Sequence, residues 1–394
     1  MLYQKSQGGI NMRRSFALLT LFLILGVLPF PGLAAEPETG GRSALLMDCA
    51  TGTVLFESNA HEPLAPASVT KVMTMLLIME AIDSGAIGWE DAVTASEAAA
   101  AKGGSQVYLK VGETMTVSDM LKSIAVSSAN DCACAMAEHI AGSESAFVER
   151  MNTRAQELGM KDTHFVNCTG LDDSEDAKNH RTSAHDIAVM SRELLKEHPD
   201  IKRFTTIWMD TVRNGAFGLS NTNKMIRFYN GATGLKTGFT SGAGYCLSSS
   251  AQRDGMELIA VVMGAETSQI RFQSCRSMLD FGFANYALVQ PEITEVPAVP
   301  VRLGIAAQVY PKLGDDPSVL VTKAEKGSLQ TQIDMMPEVA APVHQGQPLG
   351  TMRILSGGHE LCTIPLIAEN SVERLTFSQL FSRVLRKVSM SEDP

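Results

Sequence analysis

Leu64-Ala65-Pro66-Ala67-Ser68-Val69-Thr70-Lys71-Val72-Met73-Thr74 is the stretch on which the reading of this chain turns. An apolar run continues beyond it to Ile82 and is closed by Gly85, which predicts a buried helix over Ser68–Ile82. A spacing of three puts the Ser68 hydroxyl and the Lys71 amine one turn apart on the same face. A serine hydroxyl is a poor nucleophile unless a base lies within hydrogen-bond reach. Lysine can be that base only when neutral, so its pKa must fall far below the ordinary ~10.4. Burial and a second cation both do this, because each disfavours the charged form. Val72, Met73, Met75, Leu76 and Leu77 supply the burial. The helix start also places Ser68 at the positive end of the backbone dipole. Alone, Ser-x-x-Lys recurs by chance and specifies little.

Two further motifs follow in order. Ser128-Ala129-Asn130 interrupts an apolar pattern running from Met120 to Ala141, which predicts one long helix with a polar break. A buried Ser and Asn cost stability unless hydrogen-bonded. By themselves they read as a kink or a satisfied core pair; beside a nucleophile they read as a proton relay and an amide donor. The third motif is Lys236-Thr237-Gly238, within Gly234-Leu235-Lys236-Thr237-Gly238-Phe239-Thr240. Its glycines let a substrate backbone lie along a strand edge. Lys236 brings the second cation, which would depress Lys71 and attract a carboxylate. Alone it is a surface turn.

Outward from these motifs, residues 36–290 mix helices and strands, an α/β (α+β) catalytic domain. Strands are predicted at Ala44–Met47, Thr53–Phe56, Gly244–Ser250 and Leu258–Met263, with an amphipathic helix over Thr182–Glu197. Pro291, Pro297 and Pro300 then mark a linker. Residues 291–370 read as a small all-β sandwich, with strands at Val319–Thr322, Leu329–Met335, Gly350–Ile354 and Glu360–Ile364. Residues 371–394 hold an amphipathic helix over Val372–Val388. Phe377, Leu380, Phe381, Val384, Leu385 and Val388 share one face, and Arg383, Arg386 and Lys387 lie opposite. That pattern suits the surface of an anionic membrane; the alternative is a helix docked on the β-domain.

Residues 1–35 read as a signal peptide. Arg13 and Arg14 precede the apolar run Phe16–Val27, and Pro29, Pro31, Gly32, Ala34 and Ala35 follow. The run is shorter than the roughly 20 residues of a membrane-spanning helix. A net charge of −10 leaves no domain-wide basic surface for nucleic acid. The 7 cysteines are scattered, without zinc spacing or a paired framework, and the 8 histidines form no ligand pair. No metal or cofactor is expected.

Together, Ser-x-x-Lys, Ser-x-Asn and Lys-Thr-Gly are the motif set of penicillin-binding proteins and class A β-lactamases. With their flanks, including Asp131 and Ala243-Gly244-Tyr245, they resemble the serine-type D-alanyl-D-alanine carboxypeptidases, the low-molecular-mass penicillin-binding proteins. The resemblance runs from about Ala44 to Phe283 and more loosely beyond. It implies a penicillin-binding fold, an antiparallel sheet flanked by helices, in an exported enzyme at the outer face of the bacterial membrane. It implies action on peptidoglycan stem peptides and covalent inhibition by β-lactams. Ser68 would be the nucleophile, Lys71 its base and Ser128 the relay to the departing D-alanine. Asn130 would hold the substrate amide, Lys236 and Gly238 would line the cleft, and the N–H groups of Ser68 and Phe239 would form the oxyanion hole. Thr237 and Arg271 are candidates for the terminal carboxylate. Phe239 departs from the histidine that many relatives carry there. A class A β-lactamase would need a Glu-x-x-Leu-Asn loop about 36 residues past Ser128, where this chain reads His164-Phe165-Val166-Asn167-Cys168. An endopeptidase acting on crosslinks, and a non-catalytic wall-binding protein, are the remaining alternatives.

Overall fold

In a computed structural model, residues 36–291 and 296–389 are described; the expected signal segment lies outside them. Five strands form the central sheet: β1 (Ser43–Asp48), β2 (Val54–Ser58), β3 (Ala232–Thr240), β4 (Gly244–Arg253) and β5 (Met256–Ala265). Their order is β2-β1-β5-β4-β3, with every pairing antiparallel. Alternation assigns the two faces: Leu45 and Met47 join one core, Ala44 and Leu46 the other. Because both faces are covered, Leu258–Met263 is apolar at every position rather than at every second one.

The first core is filled by α1 (Lys71–Asp83), α2 (Val117–Ser127), α3 (Asn130–Ala141) and α4 (Ala184–Glu197). The second is closed by α5 (Ser268–Asn285), through Cys275, Met278 and Leu279. All seven thiols are free, and only Cys362 is even partly exposed.

Three boundaries differ from the sequence expectation. Ser68 lies not in an α-helix but in a 3-10 turn, Ala67–Thr70, that feeds α1. Ala67 enters this turn with φ of 48°, so the chain cannot already be helical there. A 3-10 turn eclipses residues three apart, which sets Lys71 squarely beside Ser68. The expected long helix over Met120–Ala141 is two helices, because Ser128 takes the left-handed conformation (φ 64°, ψ 29°) and breaks the ladder. The terminal helix α6 spans Phe377–Ser389; Val372 is instead buried in a bridge to Val343.

Among the described residues beyond α5, strands joined by turns and loops run to α6 without a helix. A four-stranded sheet carries Leu329–Met335, Pro348–Ser356 and His359–Ala368, and a three-stranded sheet carries Val299–Arg302, over two small apolar cores. Tyr286–Val289, which continues α5 without a loop, pairs antiparallel with Val319–Thr322. No helix among the described residues is long and apolar enough to cross a membrane.

Candidate active site

Lys71 is fully buried, with Nζ 3.0 Å from Ser68 Oγ. The amine also donates to the Thr169 carbonyl at 2.8 Å. Burial lowers its pKa to about 7, although Cys168 and Asp131 pull the other way. Ser68 is the one half-buried residue of the otherwise buried turn Ala67–Thr70.

The turn is clamped from outside its own segment. Gly170, at φ of 81°, lies so close that an added Cβ would stand 1.8 Å from the Ala67 carbonyl oxygen. Thr74 donates to the Cys168 carbonyl at 2.6 Å. Thr70 donates to Ala67 O and contacts His180 Nε2 at 2.7 Å. The Val166 N–H donates to His180 Nδ1, so the proton sits on Nε2 and is given to Thr70. Burial lowers the His180 pKa to about 4, which keeps it neutral.

Ser128 and Asn130 form the second wall. The Asn130 amide donates to Gly103 O, and its backbone N–H donates to Ser105 O, both at 2.7 Å. The Ser128 hydroxyl and Asn130 Oδ1 are buried without a hydrogen-bond partner. Such orphaned groups are costly to bury. Asp131 holds this wall by accepting from the N–H groups of Val107, Leu109 and Cys132 at 2.9–3.3 Å.

Strand β3 is the third wall. Gly238 packs against the nucleophile's turn; an added Cβ would meet Pro66 O at 2.6 Å and the Ser68 nitrogen at 3.1 Å. Lys236 is buried and donates to Thr237 O. Its pKa falls well below the ordinary lysine range through burial first, then the charges of Lys71 and Arg271. The Thr237 hydroxyl bonds Thr222 at 2.7 Å, and Phe239, largely exposed, stacks on Tyr245.

Of the nine sequence candidates, Lys71 is hydrogen-bonded to Ser68, Gly238 packs on the turn that carries Ser68, and Lys236 feels the charge of Lys71. Arg271 reaches β3 from α5 on the other face of the sheet. Its Nη1 donates to the Gly238 and Cys246 carbonyls at 3.0 and 3.2 Å, and Nη2 donates to Ser268. Thr169, Gly170, Asp131, His180 and Thr222 are the residues that sequence reasoning missed as site supports. Only Asp131 carried a signal, as the next residue after the second motif.

Residues 32–267 match the family model described as D-alanyl-D-alanine carboxypeptidase. Residues 294–374 match the penicillin-binding protein 5 C-terminal domain. D-alanyl-D-alanine carboxypeptidase DacF of Bacillus subtilis is 41% identical over 381 residues, covering 93% of this chain and 97% of that protein. Among solved structures, penicillin-binding protein 5 from Haemophilus influenzae aligns with a TM-score of 0.74 at 29% identity, over 86% of this chain and 100% of that one. Ampicillin-bound penicillin-binding protein D2 from Listeria monocytogenes aligns at 0.57 and 30% identity, over 62% of this chain and 98% of that one. The motifs, the fold and these similarities agree: the chain belongs to the D-alanyl-D-alanine carboxypeptidase family of serine hydrolases.

Proposed function

We propose that this chain removes the terminal D-alanine from peptidoglycan stem peptides through an ester on Ser68. One observation carries the reading: a fully buried lysine, its pKa lowered by burial to about 7, stands 3.0 Å from the Ser68 hydroxyl.

Lys71 takes the proton of Ser68 as Oγ attacks the carbonyl between the two terminal D-alanines. The carbonyl oxygen becomes an oxyanion facing the N–H groups of Ser68 and Phe239, where each donor is typically worth ~3 kcal/mol. The C–N bond breaks as the leaving amine receives a proton through Ser128, a role supported by its buried, unpartnered hydroxyl. Water then attacks the ester, Ser68 recovers its proton, and the shortened peptide leaves. Asn130 Oδ1 accepts from the substrate's amide. Thr237 meets the terminal carboxylate, helped by the charge of Lys236. The Nη1 atom of Arg271 already serves two backbone carbonyls, so its part is to hold β3 in place.

A β-lactam would acylate the same oxygen, and the ampicillin-bound relative supports this. The leader-like N-terminus supports an exported enzyme, and α6 supports its residence at the outer membrane surface. D-alanine release from a peptide ending in D-Ala-D-Ala, compared with Ser68→Ala, tests the assignment. Release that persists in the variant sinks Ser68 as nucleophile. A penicillin-labelled wild type that releases none turns the reading to crosslinked muropeptides.

A further inference from the structure

Helix α6 is oriented against the usual rule for a surface helix. A cation helps hold it to the rest of the protein: Arg383 Nη1 and Nη2 donate to the Gly304 and Ile305 carbonyls at 3.1 and 2.5 Å. Most of its described apolar residues face outward, with Phe377 84%, Phe381 57% and Leu385 53% exposed. A helix that docked for stability would bury that stripe.

The loop that Arg383 grips is itself apolar at its tip. Leu303 and Ile305 are 39% and 43% exposed, and Leu303 takes φ of 58°, a conformation costly for a large side chain. Gly304 permits the turn, since an added Cβ would meet Val301 Cγ1 at 2.6 Å and Ala306 O at 2.8 Å. Backbone bonds tie the loop to the segment that feeds α6: Ile305 N–H to Glu373 O at 2.8 Å, and Leu375 N–H to Leu303 O at 2.9 Å. Loop and helix are thus one unit, presenting two sets of apolar side chains. The segment Phe377–Ser389 carries Arg383, Arg386 and Lys387 and no acidic residue. That charge fits an anionic lipid surface rather than a neutral one.

We propose that Leu303 and Ile305 enter an anionic bilayer together with the apolar face of α6, making the membrane contact a two-point wedge. The inference rests on α6 lying at the membrane surface. A lone helix can roll about its axis, whereas two joined points of insertion fix the tilt of the protein above the lipid.

The test is sedimentation of the protein with vesicles of phosphatidylglycerol and phosphatidylcholine. Wild type is compared with Leu303→Ser/Ile305→Ser and with Phe381→Ser/Leu385→Ser. The loop variant should partition about tenfold more weakly, from lost apolar burial, while its penicillin acylation stays at the wild-type rate. In a second measurement, Ile305→Trp fluorescence above the wild-type background should be quenched by brominated lipid. Wild-type partitioning of the loop variant, or an unquenched Ile305→Trp, overturns the wedge; weakened binding of the helix variant would then leave α6 standing as the sole contact. If wild type itself does not sediment, the membrane reading of α6 fails and takes the wedge with it.

Discussion

The amine of Lys71 donates to the carbonyl of Thr169, 98 residues further along the chain, at 2.8 Å. A carbonyl accepts from an ammonium and, less strongly, from a neutral amine, so this bond keeps the base aimed at Ser68 in both of its protonation states. With its pKa held at about 7, the second-order rate of penicillin acylation should rise about tenfold per pH unit below 7 and level off above it. Stopped-flow acylation from pH 5 to 9 reads this directly. A limb that appears only above pH 9 would remove Lys71 as the base.

The same depressed pKa sets a stability cost. Between about pH 7 and 10.5 the unfolded chain binds a proton at Lys71 that the folded chain does not, so this group's contribution to stability rises with pH. Lys71→Met should abolish acylation and stabilise the fold by about 2–4 kcal/mol at neutral pH. The gain should shrink toward pH 10. Denaturant titrations of both proteins at pH 7 and 9.5 check the sign.

Gly238→Ala should leave the protein folded and still slow acylation at least ~100-fold. The new methyl would press on Pro66 O and the Ser68 nitrogen, and β3 must withdraw from the nucleophile to make room. A normal melting profile with lost penicillin labelling is the expected pair of results. Labelling at the wild-type rate would show that the close approach is not needed.

Asp131→Ala removes the acceptor for three N–H groups, those of Val107, Leu109 and Cys132. A loss of about 3 kcal/mol should follow in thermal or chemical melts. Acylation should slow as well, because Asn130 is held by Gly103 and Ser105 of the same loop. A variant as stable as wild type would show that the clamp carries no strain.

How far the sequence led depended on whether the cause was local. The Ser68–Lys71 pairing and the strands near Gly244–Ser250 and Leu258–Met263 follow from spacing and apolar runs, which act over a few residues, whereas the strand bearing Lys236 was not predicted. A polar break at Ser128 showed, but not that it splits the helix in two, because apolar residues continue on both sides and no glycine marks the left-handed turn. The supports of Lys71 were equally hidden: Thr169 and Gly170 are ordinary residues until the fold brings them to Ala67. Arg271 was read only as a candidate for the substrate's carboxylate, and its bonds to the Gly238 and Cys246 carbonyls carried no signal in the sequence. The start of α6 was read five residues early, since Val372 continues the apolar rhythm while belonging to a bridge with Val343.

The unbroken passage from α5 into Tyr286–Val289 makes that segment a strut. Its near end carries Arg271, fastened to the strand beside the nucleophile, and its far end is bonded along Val319–Thr322. With no loop residue between helix and strand, a displacement of Val319–Thr322 would pass to α5 as a lever and not be lost in a swivel.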